Sequence, residues 1–507
     1  MGDLPGVTAH LPYVASLGVD AIWLCPFFTS PMRDFGYDVA DYCSVDASFG
    51  TLEDFDRLLE SAHALGLRVI IDQVYSHTSD QHPWFRESRA DRSNPKADWY
   101  VWADPKADGS PPSNWQSVFG GPAWAWDARR AQYYLHNFLT EQPDLNVHTL
   151  AVQDALLASA RFWLERGVDG FRVDAIDYAM HDPQLTDNPP MPVTGRTRSR
   201  PVDFQQPRNN KSHPDIVRFI ERVRALTDSF GGERFTVAEV GGEDGEPAMK
   251  AFTAGPRRFH TAYGFNFLYA ERLSPQLVRA ATEAWPEDGR TGWPSWAFSN
   301  HDAPRAVSRW AAPADRRACA RAALLLLVSL RGNIFLYQGE ELGLPQAQLA
   351  FGDLRDPEAI SNWPLILGRD GARTPMPWVG DAPHAGFSSA RPWLPVPEAH
   401  LPLAVDRQES EANSQLALTR RLIALRAHLP PLRIGTMRII EAGAEFLIFE
   451  RRHAQDEIWC AFNFGRRVHT VDSAPPGSWR ILQAVGGANA WTLPPWSGLI
   501  AQRTGLP

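Results

Sequence analysis

Four stretches of this chain end an apolar run on side chains able to do acid, base or nucleophilic chemistry. In Gly170-Phe171-Arg172-Val173-Asp174, strand alternation puts Arg172 and Asp174 on one face and Phe171 and Val173 on the other. A guanidinium beside a carboxylate favours the ionised form, as a nucleophile requires, although a structural ion pair has the same pattern. In Phe235-Thr236-Val237-Ala238-Glu239 the glutamate closes an apolar strand on the face of Phe235 and Val237. Apolar surroundings raise a carboxyl pKa and keep the proton on, which suits a general acid and equally a buried, hydrogen-bonded carboxyl group. Phe298-Ser299-Asn300-His301-Asp302 and Asp72-Gln73-Val74-Tyr75-Ser76-His77 are the third and fourth stretches. Two carboxyl groups facing each other at about 5 to 5.5 Å are the machinery of retaining glycoside hydrolysis: one attacks the anomeric carbon and the other protonates the departing oxygen.

Groups on separate strands converge only if the strands end together, which a (β/α)8 barrel arranges at its carboxyl face. Short apolar runs alternating with amphipathic helical stretches give that α/β pattern. The runs are Asp20 to Cys25, Leu67 to Val74, Gly170 to Asp174, Phe235 to Glu239, Arg258 to Tyr263, Trp296 to Asn300 and Asn333 to Gln338. That makes seven strands where a closed barrel has eight, and the missing one belongs before the helix that begins near Leu4. The barrel is expected from 1–77 and 148–434. Residues 78–147, rich in Trp, Pro, Asp and Gly, form a small inserted domain after the third barrel strand, because a structureless loop of that length is unusual. Residues 435–507 alternate with strand period and form a carboxyl-terminal antiparallel β-sandwich. A second insertion, His181 to Pro214, reads either as a mobile surface loop or as an ordered lid.

The 507 residues are 44% hydrophobic and 21% charged, enough to bury a large core. A net charge of -9 without a Lys/Arg cluster argues against nucleic acid. The four cysteines, Cys25, Cys43, Cys319 and Cys460, form no CxxC pair and sit mostly in apolar surroundings, so buried free thiols in a reducing, cytoplasmic setting are expected. The amino terminus lacks a signal-peptide pattern and the run Ala322 to Leu330 is too short for a bilayer, so no membrane association is expected. With 19 Trp and 11 Tyr, the chain has rings to spare for stacking on sugar faces, although core filling takes most of them.

In order along the chain, Asp72 to His77, Gly170 to Ala175, Glu239 with Val240-Gly241-Gly242, and Phe298 to Asp302 resemble the signature regions of glycoside hydrolase family 13, the α-amylase superfamily. Gln142-Pro143-Asp144-Leu145-Asn146 and Tyr337-Gln338-Gly339-Glu340-Glu341-Leu342-Gly343 add two more matches; the first is similar to the form in the α-glucosidase and oligo-1,6-glucosidase branch. The resemblance implies Asp174 as nucleophile, Glu239 as acid/base and Asp302 as the third carboxylate, with Arg172 orienting the nucleophile. It also implies that Asp34 and Tyr37 hold a terminal glucose, that His77 and His301 donate to its hydroxyls, and that Arg369, with Arg373 as the competing choice, closes the blind end. Such a pocket implies an exo-acting retaining α-glucosidase with transglucosylation onto sugar or alcohol acceptors. Ala175 after the nucleophile resembles the small residue associated with α-1,4 action, which points to maltose-like short α-glucosides. No cofactor is implied for the chemistry.

Three features depart from the family pattern. Relatives begin with a strand and an Asp-rich loop that binds a divalent ion (Ca or Mg), of which only Gly2-Asp3 remains; a lone Asp3 cannot supply the oxygens such an ion takes. The absent strand suggests a native start roughly thirty residues earlier, the length of one strand plus its loop. Ser76 stands where relatives usually have Asn. Other readings stay open: an α-glucosyl transferase or sucrose isomerase, a truncated inactive chain, and a non-catalytic ancillary relative.

Overall fold

The computed structural model describes residues 1–507 apart from 194–197, 199, 243–244, 289, 472–476, 490 and 505–507. Parallel strands form the barrel sheet: β1 Ala21–Leu24, β2 Arg68–Val74, β3 Gly170–Asp174, β4 Phe235–Val240, β5 Thr261–Gly264, β6 Ser295–Ala297 and β7 Asn333–Phe335. The first five pair in chain order, β6 pairs with β7, and Ala262 of β5 bridges Pro294 just before β6. Among the described residues no ladder joins β7 to β1. The physical mark of that opening is burial: β2 beyond Arg68 and all of β3 are buried, whereas β1 and β7 are only half-buried, with Ala21 exposed.

The helices between strands form for local reasons. Helix Leu52–Ala64 starts on a capping box in which Thr51 and Asp54 satisfy each other's amides, and it buries Phe55, Leu58, Leu59 and Ala62 at 3–4-residue spacing. Helix Ile216–Asp228 buries Ile216, Phe219, Ile220, Val223 and Leu226 on the same principle. Helix Leu4–Ser16 begins on Asp3, whose carboxylate accepts from the Gly6 amide at 2.7 Å. The remnant of the expected ion-binding loop therefore acts here as a helix cap.

The segment between β2 and helix Leu150–Glu165 holds a three-stranded antiparallel sheet, Trp102–Ala103, Gln132–Leu135 and Trp124–Asp127, around Trp115 and Trp124. The described part of the second insertion is folded against it: Trp115 Nε1 donates to the Thr186 carbonyl at 2.8 Å, and buried Asn188 and Asn210 link on to Asn137. At the carboxyl end, five antiparallel strands from Thr436–Ala442 to Ser497–Thr504 make one sheet, with a two-stranded ladder beside it. Strand Asp456–Asn463 shows why the sheet has two dry faces: Ile458, Cys460 and Phe462 join the main core, while Trp459 and Ala461 pack in a separate cluster with Leu493 and Leu499. The apolar helix Arg316–Ser329 is buried beneath this sheet, with Arg451 donating to its Ser329 carbonyl at 2.6 Å. No described helix is long and apolar enough to cross a membrane.

One expectation fails. All four cysteines are free, but only Cys319 and Cys460 are buried; Cys43 is half-buried and Cys25 exposed. Cys25 follows β1, the strand with an unpaired edge, so its apolar sequence neighbours do not enclose it.

Candidate active site

Strand register brings the site together. Asp72 on β2 pairs with Arg172 on β3, and Glu239 on β4 pairs with Tyr263 on β5. The inward faces meet above an apolar plug of Trp23, Val237, Tyr263, Ala297 and Phe335. Arg172, fully buried, is the hub. Its Nη1 donates to Asp72 Oδ1 at 2.7 Å and to Asp174 Oδ1 at 2.6 Å, its Nη2 pairs with Glu239 Oε2, and its Nε and Nη2 reach the Tyr263 hydroxyl at 3.1 and 3.0 Å. Tyr263 in turn donates to Glu239 Oε1 at 2.9 Å, and the Ala175 amide reaches Glu239 Oε2 at 3.3 Å.

Three carboxyl groups thus share one cation in a water-poor setting. Burial raises all three pKa values, with Arg172 opposing it: Asp72 to about 6, Asp174 to about 7 and Glu239 to about 8. Glu239 is the last to give up its proton.

A second charge cluster lies beyond the first. Asp34 sits in a turn at Phe35-Gly36 where a Cβ on Gly36, at φ +103, would stand 2.7 Å from the Pro26 carbonyl oxygen. Only glycine fits there without strain, and the turn delivers Asp34 and Tyr37 together. Arg369 Nη2 donates to Asp34 Oδ1 at 2.8 Å and to Asp356 Oδ1 at 2.9 Å, and its Nη1 stands 3.6 Å from Asp302 Oδ1. Arg373 Nη2 donates to Asp302 Oδ1 at 2.8 Å. Burial works against an ionised Asp302, but Arg373 and Arg369 hold its carboxyl well below the usual range. Tyr37 ties the clusters together: its hydroxyl reaches Asp72 Oδ2 at 3.1 Å and His301 Nε2 at 2.7 Å, and its ring lies parallel to His301. Gln142 Nε2 donates to Asp34 Oδ2 at 3.1 Å and contacts His77 Nε2 at the same distance. Burial pushes both His77 and His301 down to about 3, so these rings are neutral hydrogen-bonding groups near pH 7.

The sequence matches the family described as alpha amylase, catalytic domain, over residues 1–435. The chain belongs to that family. Among relatives, a probable alpha-glucosidase of Rhizobium meliloti is 51% identical over 479 residues, 93% of this chain and 87% of that one. An oligo-1,6-glucosidase of Heyndrickxia coagulans is 34% identical over 95% of this chain and 91% of its own. The crystal structure of the alpha-glucosyl transfer enzyme XgtA superposes with a TM-score of 0.94 at 47% identity, covering 99% of this chain and 95% of that one. The trehalulose synthase MutB from Pseudomonas mesoacidophila gives 0.88 at 30% identity, with the same coverage. This α-amylase-family chain is accordingly a glycoside hydrolase or glucosyl transferase of the α-glucosidase group.

Seen as an α-amylase-family site, the arrangement brings Asp34, Tyr37, His77, Arg172, Asp174, Glu239, His301, Asp302 and Arg369 into one connected network. The two arginines divide the carboxylates between them: Arg369 holds Asp34 and Asp356, and Arg373 holds Asp302. Sequence reasoning assigned no part to Tyr263, Asp356, Gln142 or Trp23, whose Nε1 donates to Asp72 Oδ2 at 3.1 Å. Tyr263 had a signal, since it ends a strand adjacent to that of Glu239 and the parallel register puts the two side by side. Asp356 had none: it is the N-cap of the short helix Pro357–Asn362 in a loop, and only the fold carries it to Arg369.

Proposed function

We propose that the chain is a retaining, exo-acting α-glucosidase that also transfers glucose to sugar or alcohol acceptors. The observation that carries this is the single guanidinium of Arg172 gripping both Asp174 and Glu239, with Glu239 keeping its proton to the higher pH. Asp174 attacks C1 of the terminal glucose while Glu239 gives its proton to the glycosidic oxygen, so the C1–O bond breaks and a β-glucosyl ester forms on Asp174. Glu239, now a carboxylate, takes a proton from water or an acceptor hydroxyl, whose oxygen attacks C1 and releases α-configured product. Asp302, held ionised, binds ring hydroxyls and favours the positive charge that develops at C1 and the ring oxygen. Asp34, Arg369, His77 and His301 enclose the non-reducing end, which supports exo action on short α-glucosides such as maltose. These steps use side chains, sugar and water alone.

For linkage we propose α-1,4 preference. Ala175 adopts a left-handed conformation, φ +35 and ψ +43, immediately after Asp174, and its methyl group takes little space beside the leaving sugar. A second reading, transfer outweighing hydrolysis, draws support from the likeness to an alpha-glucosyl transfer enzyme. Incubation with maltose, isomaltose and sucrose, followed by NMR of the first products, tests both. α-Glucose or α-glucosides as initial products are expected; initial β-glucose would remove the covalent mechanism, and glucosides in excess over free glucose would favour the transferase.

A further inference from the structure

Away from the catalytic residues, His148, His213 and Asp215 bring their ligand atoms within 4.8 Å of one another, and all three side chains are half-buried. His148 follows the inserted domain, just before helix Leu150–Glu165; His213 lies at the end of the second insertion and Asp215 just after it, at the start of helix Ile216–Asp228. The ring of His148 stands edge-on to those of His213 and His181, at 5.1 and 5.3 Å between centroids.

The hydrogen bonds fix where the lone pairs are. His148 Nε2 lies 2.8 Å from the His181 carbonyl oxygen, which can only accept, so Nε2 carries the proton and Nδ1 is the ring's lone-pair atom. A histidine anchored through one nitrogen to a backbone carbonyl is the arrangement that orients an imidazole for a metal. The Asp215 amide lies 3.3 Å from His213 Nδ1, a long hydrogen bond that a metal on that nitrogen would replace, and Nδ1 faces Asp215 Oδ2 at 3.8 Å. An imidazole nitrogen and a carboxylate oxygen that face each other are held together by a proton or a cation between them. Asp215 is the N-cap residue of its helix, yet its carboxylate makes no capping bond, and its nearest cation, Arg218, is mostly exposed at 3.7 Å.

We propose that His148, His213 and Asp215 form a binding site for a zinc-class dication that clamps the return legs of the two insertions. Two imidazoles and one carboxylate select such an ion over Mg2+ or Ca2+, which take oxygen donors, and leave a fourth position for water. Ligand atoms around a tetrahedral ion with bonds of about 2.0–2.2 Å stand about 3.3–3.6 Å apart, so the donors close in by small side-chain rotations. The clamp bears on the catalytic end through Lys211, whose Nζ lies 2.9 Å from the Gly241 carbonyl oxygen and 3.2 Å from Asp177 Oδ2, just past Glu239 and Asp174 in sequence.

The test is calorimetric titration of the chelator-stripped full chain with Zn2+, and of His148→Gln and His213→Gln, with the visible spectrum of the Co2+ derivative recorded in parallel. One Zn2+ per wild-type chain is expected, along with a four-coordinate Co2+ spectrum, a loss of affinity of about tenfold or more in each variant, and no displacement by Mg2+. Zn2+ should also raise the unfolding temperature of the wild type and not of either variant. Absence of one-to-one binding, or unchanged affinity in both variants, overturns the proposal. Should a variant unfold in chelator, the wild-type Co2+ spectrum decides: six-coordinate, oxygen-rich Co2+ also overturns it.

Discussion

Replacing Tyr263 by Phe isolates the control of the proposed general acid, Glu239. The Tyr263 hydroxyl donates to Glu239 Oε1 at 2.9 Å and accepts from Arg172 Nε and Nη2. A hydrogen bond to a charged group is worth about 1.5–3 kcal/mol, and this one favours the ionised carboxylate. Its loss leaves burial less opposed, and at about 1.4 kcal/mol per pKa unit the Glu239 carboxyl moves from about 8 up by about one to two units. In kcat/KM against pH, with maltose as substrate, the acidic limb should stay near 7, set by Asp174. The alkaline limb, where Glu239 loses its proton, should move up by at least one unit. The variant also leaves Arg172 Nε facing no acceptor, which destabilises the fold by about 1–3 kcal/mol; circular dichroism at each pH separates that loss from the catalytic shift. An alkaline limb that stays put, or moves toward acid, in a folded variant refutes the claim that Tyr263 sets the acidity of Glu239.

Three further outcomes follow from the same geometry. Asp174→Asn should abolish turnover, and its stability relative to wild type should depend on pH. The folded carboxyl titrates near 7 against an ordinary value of 3.8, so its contribution is lost as pH rises through 7, and the Asn variant should match wild type at pH 4 and exceed it by about 1 kcal/mol or more at pH 8; equal melting curves at pH 8 would contradict this. Arg369→Lys loses the fork that holds Asp34 and Asp356 together. KM for maltose should rise about tenfold or more, with a smaller drop in kcat, and an unchanged KM would remove Arg369 from the sugar site. Ala175→Val puts a β-branched residue at φ +35, with a strain of about 1–3 kcal/mol; the ratio of kcat/KM for maltose over isomaltose should fall, and a constant ratio would discard Ala175 as a linkage determinant.

Much of this site was legible because strands encode direction. Arg172 and Asp174 share a face by strand alternation, and the burial of Phe171 and Val173 in the helix-packed core follows from the same rule. Strand positions were readable for the same reason, although Trp296 to Asn300 shortened to Ser295–Ala297 because Ser299 and Asn300 turn to bond the loop amides of Ala306, Asp302 and Ala303. What the sequence hides is partnership across loops. Asp356 and Arg369 are thirteen residues apart in irregular chain, where no periodicity says which way a side chain points. The His148, His213 and Asp215 cluster is scattered over two insertions in the same way. Cys25 shows the opposite error, since an apolar neighbourhood in sequence does not ensure one in space when the strand lies at an edge.

The two charge clusters differ in one respect that explains their division of labour. Around Arg172, three carboxyl groups face a single guanidinium, so full ionisation would leave net negative charge in a buried space, and the site retains a proton near neutrality; Glu239, the group with the highest pKa, is where it stays. Around Arg369 and Arg373, Asp34, Asp356 and Asp302 face two guanidiniums, and burial is outweighed: Asp356 and Asp302 are both driven toward the ionised form. The raised pKa of Glu239 is therefore set first by burial, with the charges of Asp174 and Asp302 adding to it against Arg172. Supplying a second cation to the inner cluster, for example by Trp23→Arg, should cost activity by ionising Glu239 below pH 7, whereas losing a carboxylate there through Asp72→Asn should lower the Glu239 pKa, because Asp72 competes with it for Arg172. An alkaline limb that stays put in Asp72→Asn would show that burial alone holds the proton.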